Sequence, residues 1–451
     1  MVLLIPRQKR GSHKGCVVFL LDIITMDVAK REKSCKANAP SPSPSPSGYS
    51  ASDNLDESLL LEILCRLPCQ SAHRFKCVSK RWFSIISDSY FIQRFVLAHP
   101  QPPPFTLLFK YESNDQQKMK ILITSKEAVF QSHGFTLSFL PCFKASEKDP
   151  VNILAACDGL LLCSSAATKA CPTVYYICNP LTKQWFALPP VYHCNQEAYS
   201  GLICEKGGGA KGGNGAFSIN DQYKYRVVCI VRHSTTDLAV KIFSSETGRW
   251  KEIIRRYRDY YPMVFLHHHA IAYEGVLHWW SPLNRSFVTC DPCNKDGNLR
   301  FSFALNYEAM GIAFEECPGV CKGRLRLCQQ LLSLTEGFST IRVWNLEEDH
   351  DGGKWCLKHQ FSLYELQSED TQLVEYARCC LMPRFRLLSV DLYDENIIYM
   401  SCLGSIVSCN MEGKTLEIVS EYPAADGNSY QSRAYPFQLP WWPTPVPSYI
   451  N

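Results

Sequence analysis

Cys290 and Cys293 are separated by two residues, and Cys317 and Cys321 by three, giving four thiols with a tight first pair. Such an inventory could hold zinc. In a chain with 23 cysteines the pairing arises easily, and buried free cysteines behave as small hydrophobes, so no metal is assigned. His267, His268 and His269, with His278 nearby, could serve as ligands or acid–base groups. Neighbours on a strand point to opposite faces, so three consecutive histidines cannot converge on one ion without a bend. Residues 207–215 are glycine-rich, but they lack the phosphate-loop pattern and no helical period follows; they read as a loop. Lys251, Arg255, Arg256 and Arg258 alternate with Tyr257, Tyr260 and Tyr261, which could grip an acidic partner or form a solvated strand and loop. Trp441 and Trp442, set between Pro440 and Pro443, would be costly in water; the tail packs back or recognises something, and packing is the preferred reading. No nucleophile, base and acid are spaced for catalysis, so no catalytic residue and no cofactor are assigned.

The composition narrows the setting. The chain has 451 residues and a formal net charge of +4, without the concentrated basic face that nucleic-acid binding needs. The cysteines are scattered, odd in number and without a disulfide rhythm, which suits a reducing compartment, cytoplasmic and/or nuclear. Arg7, Lys9, Arg10 and Lys14 precede a short apolar run at residues 16–21 that Asp22 breaks. That run falls far below the ~20 residues a membrane span requires, so no membrane partner is expected and a disordered leader is the reading. Residues 40–47 alternate proline and serine, an extended linker.

Residues 55–91 hold three short helical patterns. Leu60, Ile63, Leu64 and Leu67 form one apolar stripe at i, i+3, i+4 and i+7. Pro68 ends that helix. Ser71 is the expected cap of a second helix carrying Phe75 and Val78. Trp82, Ile85 and Ile86 make a third apolar face. A unit of roughly 40 residues cannot bury all this surface by itself, so part of it should be a docking face. The order of residues resembles an F-box, with the stripe running into Leu67-Pro68, then 74–82 and the 86–91 ending found in plant F-box proteins. The family usually opens with Leu-Pro, whereas here Leu55 precedes Asp56. The resemblance implies contact of Leu55, Leu60, Ile63, Leu64, Leu67, Pro68, Val78 and Trp82 with a SKP-family adaptor, and through it a cullin.

Beyond residues 100–104 the pattern becomes short apolar runs between turn residues, the signature of a sandwich, barrel or propeller. A strand, a turn and a cationic residue recur at 176–185, 241–250, 343–355 and 407–414, with tryptophan following in the first three. Such repetition favours a propeller, with the rings filling gaps between blades. These segments resemble the F-box-associated domain of plant F-box proteins, carried by residues 157–161, 179–182 and 244–248.

The expected fold is a small all-α three-helix module followed by an all-β kelch-like propeller of six to eight blades. The expected boundaries are a leader and linker at 1–50, the F-box at 51–96, the propeller at 105–435 and a tail at 436–451. The resemblance implies a non-catalytic substrate-recognition subunit of an SKP–cullin–F-box ubiquitin ligase. Alternatives are an F-box scaffold outside ubiquitination and a propeller enzyme with an incidental helical leader.

Overall fold

The computed structural model describes residues 56–99, 102–113, 118–123, 137–141, 152–164, 173–191, 198–206, 223–234, 237–256, 270–294, 299–302, 313–332, 339–347, 353–378, 385–422, 433–443 and 446. The chain divides into two units, Met1–Gln101 and Pro102–Asn451.

In the first unit, α1 spans Glu57–Cys65, α2 Cys69–Arg74, a 3-10 turn Phe75–Cys77, α3 Lys80–Ser87 and α4 Ser89–Ala98. Two expectations change here. Pro68, not Ser71, occupies the cap position of α2, and Ser71 lies inside the helix while Val78 lies beyond it. Proline's fixed φ and missing N–H cost nothing at a helix start. The second change is a fourth helix. Asp88 takes an extended conformation and its carboxylate accepts the Tyr90 N–H at 2.7 Å, which ends α3 and starts α4. Ser79 caps α3 by accepting the Trp82 N–H at 3.2 Å.

In the second unit five four-stranded sheets follow one another. The first holds β3 Asn152–Cys157, β4 Leu160–Ser164, β5 Tyr175–Asn179 and β6 Gln184–Ala187. The second holds β7 Tyr199–Lys206, β8 Tyr223–Arg232, β9 Asp237–Ser244 and β10 Arg249–Arg256. The third holds β11 Ile271–Tyr273, β12 Val276–Ser281, β13 Ser286–Cys290 and β14 Leu299–Ser302. The fourth holds β15 Ala313–Cys321, β16 Arg324–Leu332, β17 Ser339–Glu347 and β18 Lys354–Ser362. The fifth holds β19 Arg386–Val390, β20 Ile397–Cys402, β21 Ser405–Asn410 and β22 Thr415–Glu421. A three-stranded sheet joins β1 Phe105–Ser113 and β2 Lys118–Ile123 to the last strand, β23 Arg433–Gln438, which runs past the expected propeller boundary.

The first strand of each four-stranded sheet lies against that of the next, from β3 through β7, β11, β15 and β19. β23 then lies between β19 and β3, so the sheets close into a propeller ring. Pairing of β1 with β23 ties the start of the unit to its end.

Local chemistry explains the meander. Asp158-Gly159, Glu274-Gly275, Lys322-Gly323 and Leu403-Gly404 each place two successive residues at positive φ, the turn that matches strand twist in two-residue hairpins. Between sheets the first strands approach closely. A Cβ at Gly319 would stand 2.4 Å from Val390 Cγ2, and one at Gly201 2.7 Å from the Ala270 Cβ. The outer edge of β22 is partly covered by residues that follow β18. Gln367 forms a parallel bridge with Thr415, and Leu363, Leu366 and, on α5 (Thr371–Arg378), Leu373 enter the core of the fifth sheet.

Candidate functional site

The helical unit spends most of its apolar stripe on itself. Leu60, Leu64, Leu67, Trp82, Ile86, Phe91 and Phe95 are each at most 4% exposed. Phe75 meets Trp82 edge-on at 5.3 Å. Glu62 bonds Arg66 at 2.7 Å and Arg94 at 3.0 Å, joining α1 to α4. Of the residues expected to meet an adaptor, Leu60, Leu64, Leu67 and Trp82 thus lie in the core, where they fix the shape of the surface. Ile63 and Val78 are half-buried, Pro68 is exposed, and Leu55 lies outside the described residues. At the opening position where the family has proline, the Ser58 hydroxyl bonds the Asp56 carboxylate and holds it below its ordinary pKa.

Among the described residues of this unit four large apolar side chains are exposed: Leu59 at 57%, Phe83 at 56%, Tyr90 at 57% and Leu97 at 81%. The sequence reading missed them because it followed a single stripe. The signal was surplus: three consecutive leucines at 59–61, and Phe83 directly after the core Trp82, exceed what one helix face can bury.

In the propeller, the repeats at 176–185 and 241–250 are the third strand, a turn and the start of the fourth strand of the first and second sheets, and 407–414 is the third strand and turn of the fifth. Asn179 Oδ1 accepts the Leu181 N–H at 2.9 Å, Ser244 Oγ the Glu246 N–H at 3.3 Å and Asn410 Oδ1 the Gly413 N–H at 2.8 Å. The Cys290-x-x-Cys293 segment belongs to the same series. Asp291 Oδ1 accepts the Cys293 N–H at 2.8 Å, so the spacing is that of a side-chain-capped turn. Cys290 is fully buried, Cys293 lies 2.8 Å from Glu205 Oε1, and Cys317 and Cys321 are buried on β15. Among the described residues no group of three or more His, Cys, Asp or Glu could hold a metal.

Trp250 packs on Tyr175 of the preceding sheet, and Trp355 stacks on Phe287 in the same way. Trp185 instead is 42% exposed against Tyr176 of its own sheet. His278 is buried between Tyr273 and Phe287, and burial pushes it down to about 4. Trp442 of the tail is 7% exposed. Residues 207–215, the histidines at 267–269 and residues 257–261 lie outside the described residues. Of the basic segment, Lys251 and Arg256 are exposed on β10, Arg255 is half-buried, and Arg256 pairs with Asp237 at 3.3 Å.

The densest polar arrangement lies on β15, where adjacent carboxylates point to opposite neighbours, as strand alternation requires. Glu316 accepts the Trp280 indole N–H from the third sheet at 2.6 Å and the Gln329 amide at 2.7 Å. Gln329 in turn accepts the Trp344 indole N–H at 2.8 Å. Glu315 accepts the backbone N–H of Leu387 on the fifth sheet at 2.8 Å. Burial raises both carboxyls, Glu315 to about 7. These groups bolt sheets together.

A family model described as "F-box protein At3g26010-like, beta-propeller" matches residues 130–435, and the F-box domain model matches residues 52–94. The Arabidopsis thaliana protein named "Putative F-box protein At3g23950" is 28% identical over 449 residues, covering 88% of this chain and 100% of its own. "F-box protein At2g40925" of the same plant is 31% identical over 249 residues, 51% of this chain and 54% of its own. Among solved structures, TolB from Acinetobacter baumannii aligns at 10% identity and a TM-score of 0.36, over 76% of this chain and 70% of that one. A likeness at that level carries no argument about function.

Proposed function

The chain belongs to the F-box proteins with an At3g26010-like β-propeller, and we propose that it is the substrate-recognition subunit of an SKP–cullin–F-box ubiquitin ligase. What carries the reading is that the F-box match at residues 52–94 falls on a separate helical unit with unspent apolar surface. That unit docks on a SKP-family adaptor and through it a cullin. Ile63, Pro68 and Val78 contribute at the surface, with Leu59 and Phe83 beside them in sequence, over the support of Leu60, Leu64, Leu67 and Trp82. Leu55 completes the set. Truncating a central apolar contact of this kind costs ~2 kcal/mol or more.

The propeller holds the target protein. With the three-stranded sheet counted as a blade, it is a six-bladed, kelch-like ring. Catalysis of ubiquitin transfer belongs to other subunits; this chain acts by raising the effective concentration of target lysines near them. It works in the cytoplasm and/or nucleus.

The test is capture of a SKP-family adaptor by the full chain, against an Ile63→Asp, Phe83→Asp variant whose fold is checked by circular dichroism. Capture by the native chain and loss in the folded variant is the expected result. Failure of the native chain to bind any adaptor offered would overturn the ligase reading.

A further inference from the structure

An open sheet edge invites a further strand, and proteins blunt such edges by shortening, bulging or covering them. The outer strands of the five four-stranded sheets show these devices unevenly. β6 and β14 have only four residues each. β18 pairs with β17 across a register slip between Val343 and Trp344. β22 pairs with β21 across a slip between Ile406 and Val407, and Gln367 bridges it at Thr415. β10 has none of these features. Its eight residues pair with β9 in unbroken register, from Arg249 opposite Ser244 to Arg256 opposite Asp237. No strand among the described residues pairs with its other edge. Its course is fixed from within the sheet. Trp250 packs on Tyr175 and Phe243 and donates to the Pro189 carbonyl at 2.8 Å, and Ile253 enters the core.

What β10 has instead is charge. Between Tyr223 and Arg256 the sequence holds eight arginines and lysines against three acidic residues, a surplus of five where the whole chain nets +4. Half of those cations are on β10. Strand alternation puts Arg249, Lys251 and Arg255 on one face, and Arg249 and Lys251 are exposed. The one acid of the strand, Glu252, belongs to the other face and stands 3.6 Å from Lys241. Ile254, also on that other face, is an apolar side chain 47% exposed. Side chains directly opposite on paired strands attract when their charges differ and repel when they match. A cationic edge therefore rejects a second copy of itself and selects an acidic strand.

We propose that the edge of β10 is a docking strand for an acidic, extended segment of a partner protein, which joins the second sheet as a further strand. Alternate residues of an edge strand turn their N–H and C=O groups outward, and a ladder built on them supplies affinity that is independent of side chains. The side chains supply selection. Aspartate or glutamate at alternate positions of the incoming segment stands across from Arg249, Lys251 and Arg255, and residues of the other phase meet Ile254. A nucleic acid would answer the charge and leave the ladder unpaired, so a peptide matches both observations. The proposal deepens the reading of the propeller as the target-holding domain and rests on that reading for its place in a ligase.

The probe is a short fluorescein-labelled peptide of alternating glutamate and threonine, titrated with the full-length chain and read by fluorescence polarisation at low salt. Its comparators are the lysine–threonine counterpart, the glutamate peptide with every amide N-methylated, and oligothymidylate. The expected result is saturable binding of the glutamate peptide, weaker by about tenfold or more for each comparator. Arg249→Glu with Lys251→Glu should weaken it by about tenfold or more, whereas Arg300→Glu with Lys354→Glu, the same change of net charge on β14 and β18, should leave it within about twofold. Four results would each overturn the docking strand: no saturable binding up to about 1 mM, equal binding of the N-methylated peptide, tighter binding of oligothymidylate, or equal loss in the β14 and β18 variant. The N-methylated comparison uses the native chain, so it decides even if Arg249→Glu with Lys251→Glu does not fold. Adaptor capture is scored separately. Its failure with peptide binding intact removes the ligase reading and leaves the docking strand, and the reverse removes the docking strand alone.

Discussion

Gly319 offers the sharpest test of how the propeller ring is held. An alanine there would place a Cβ 2.4 Å from Val390 Cγ2, with the other Val390 methyl and its Cβ at 3.6 Å. Ordinary carbon contacts lie at about 3.5–4.0 Å, so something must give by roughly 1 Å. Val390 is 1% exposed and β-branched, so it has few rotamers to retreat into. The two first strands must therefore separate, and overpacking of this kind costs about 1–3 kcal/mol; the rigid surroundings argue for about 2.5. With a urea dependence near ~3 kcal/mol per molar for a unit of this size, the propeller's unfolding midpoint should fall by about 0.8 M. Val390→Ala alone leaves a cavity and should cost about 1–3 kcal/mol. In the double variant the new methyl enters the space just vacated, so the cost should be smaller than the sum by about 1–2 kcal/mol. A neutral Gly319→Ala, or strict additivity with Val390→Ala, would refute the close-approach argument.

Other outcomes follow from single contacts. Leu64→Ala, at a fully buried site, should destabilise the helical unit by about 2–5 kcal/mol in thermal melts and leave the propeller transition in place. Trp280→Phe strands one Glu316 oxygen and should lower propeller stability by about 1–3 kcal/mol in urea; Trp280→Phe with Glu316→Leu should recover part of it. His278 is buried neutral at about 4, below its ordinary 6.5, so the unfolded chain binds more protons between those values. Stability should fall as pH drops through that window, by up to about 3 kcal/mol, and His278→Phe should flatten the pH dependence. Burial raises Glu315 to about 7, which runs the opposite way, so the difference between the native chain and His278→Phe isolates the histidine. Alkylation of the native protein should label exposed Cys77 and spare buried Cys178, Cys290 and Cys409; rapid labelling of those three would contradict their burial.

The two-unit plan was readable because its signals are local. A helical stripe, a proline stop and recurring turns depend only on neighbours in sequence. Trp82, Ile85 and Ile86 were identifiable as a core face for that reason, and they are buried. What escaped needed knowledge of space. Asp88 reads equally as a helix end or a helix start, and only its bond to the Tyr90 N–H decides. α5 is short, and its place is set by the core of the fifth sheet, which its Leu373 and Ala377 enter. The exposed Leu59, Phe83, Tyr90 and Leu97 are invisible to any method that asks only which residues go inside. The bolts at Glu315 and Glu316 join residues 72 and 36 positions apart, and no periodicity foretells them.

The cysteines carry the last step. Cys178 precedes Asn179, Cys290 precedes Asp291 and Cys409 precedes Asn410, each at the end of a sheet's third strand. All three side chains are fully buried, and burial pushes Cys290 and Cys409 up to about 12. The position asks for a side chain small enough to sit under the neighbouring sheet and apolar enough to stay there, followed by one that caps the turn. Phe243 before Ser244 occupies the same place in the second sheet. Cysteine there answers a packing need, and its recurrence is a trace of the blade repeat. A pair of cysteines at metal-like spacing then arises wherever the turn itself supplies the second, as Cys293 does. Read this way, the high cysteine content, the tandem turns and the ring of sheets are one observation about a repeated unit.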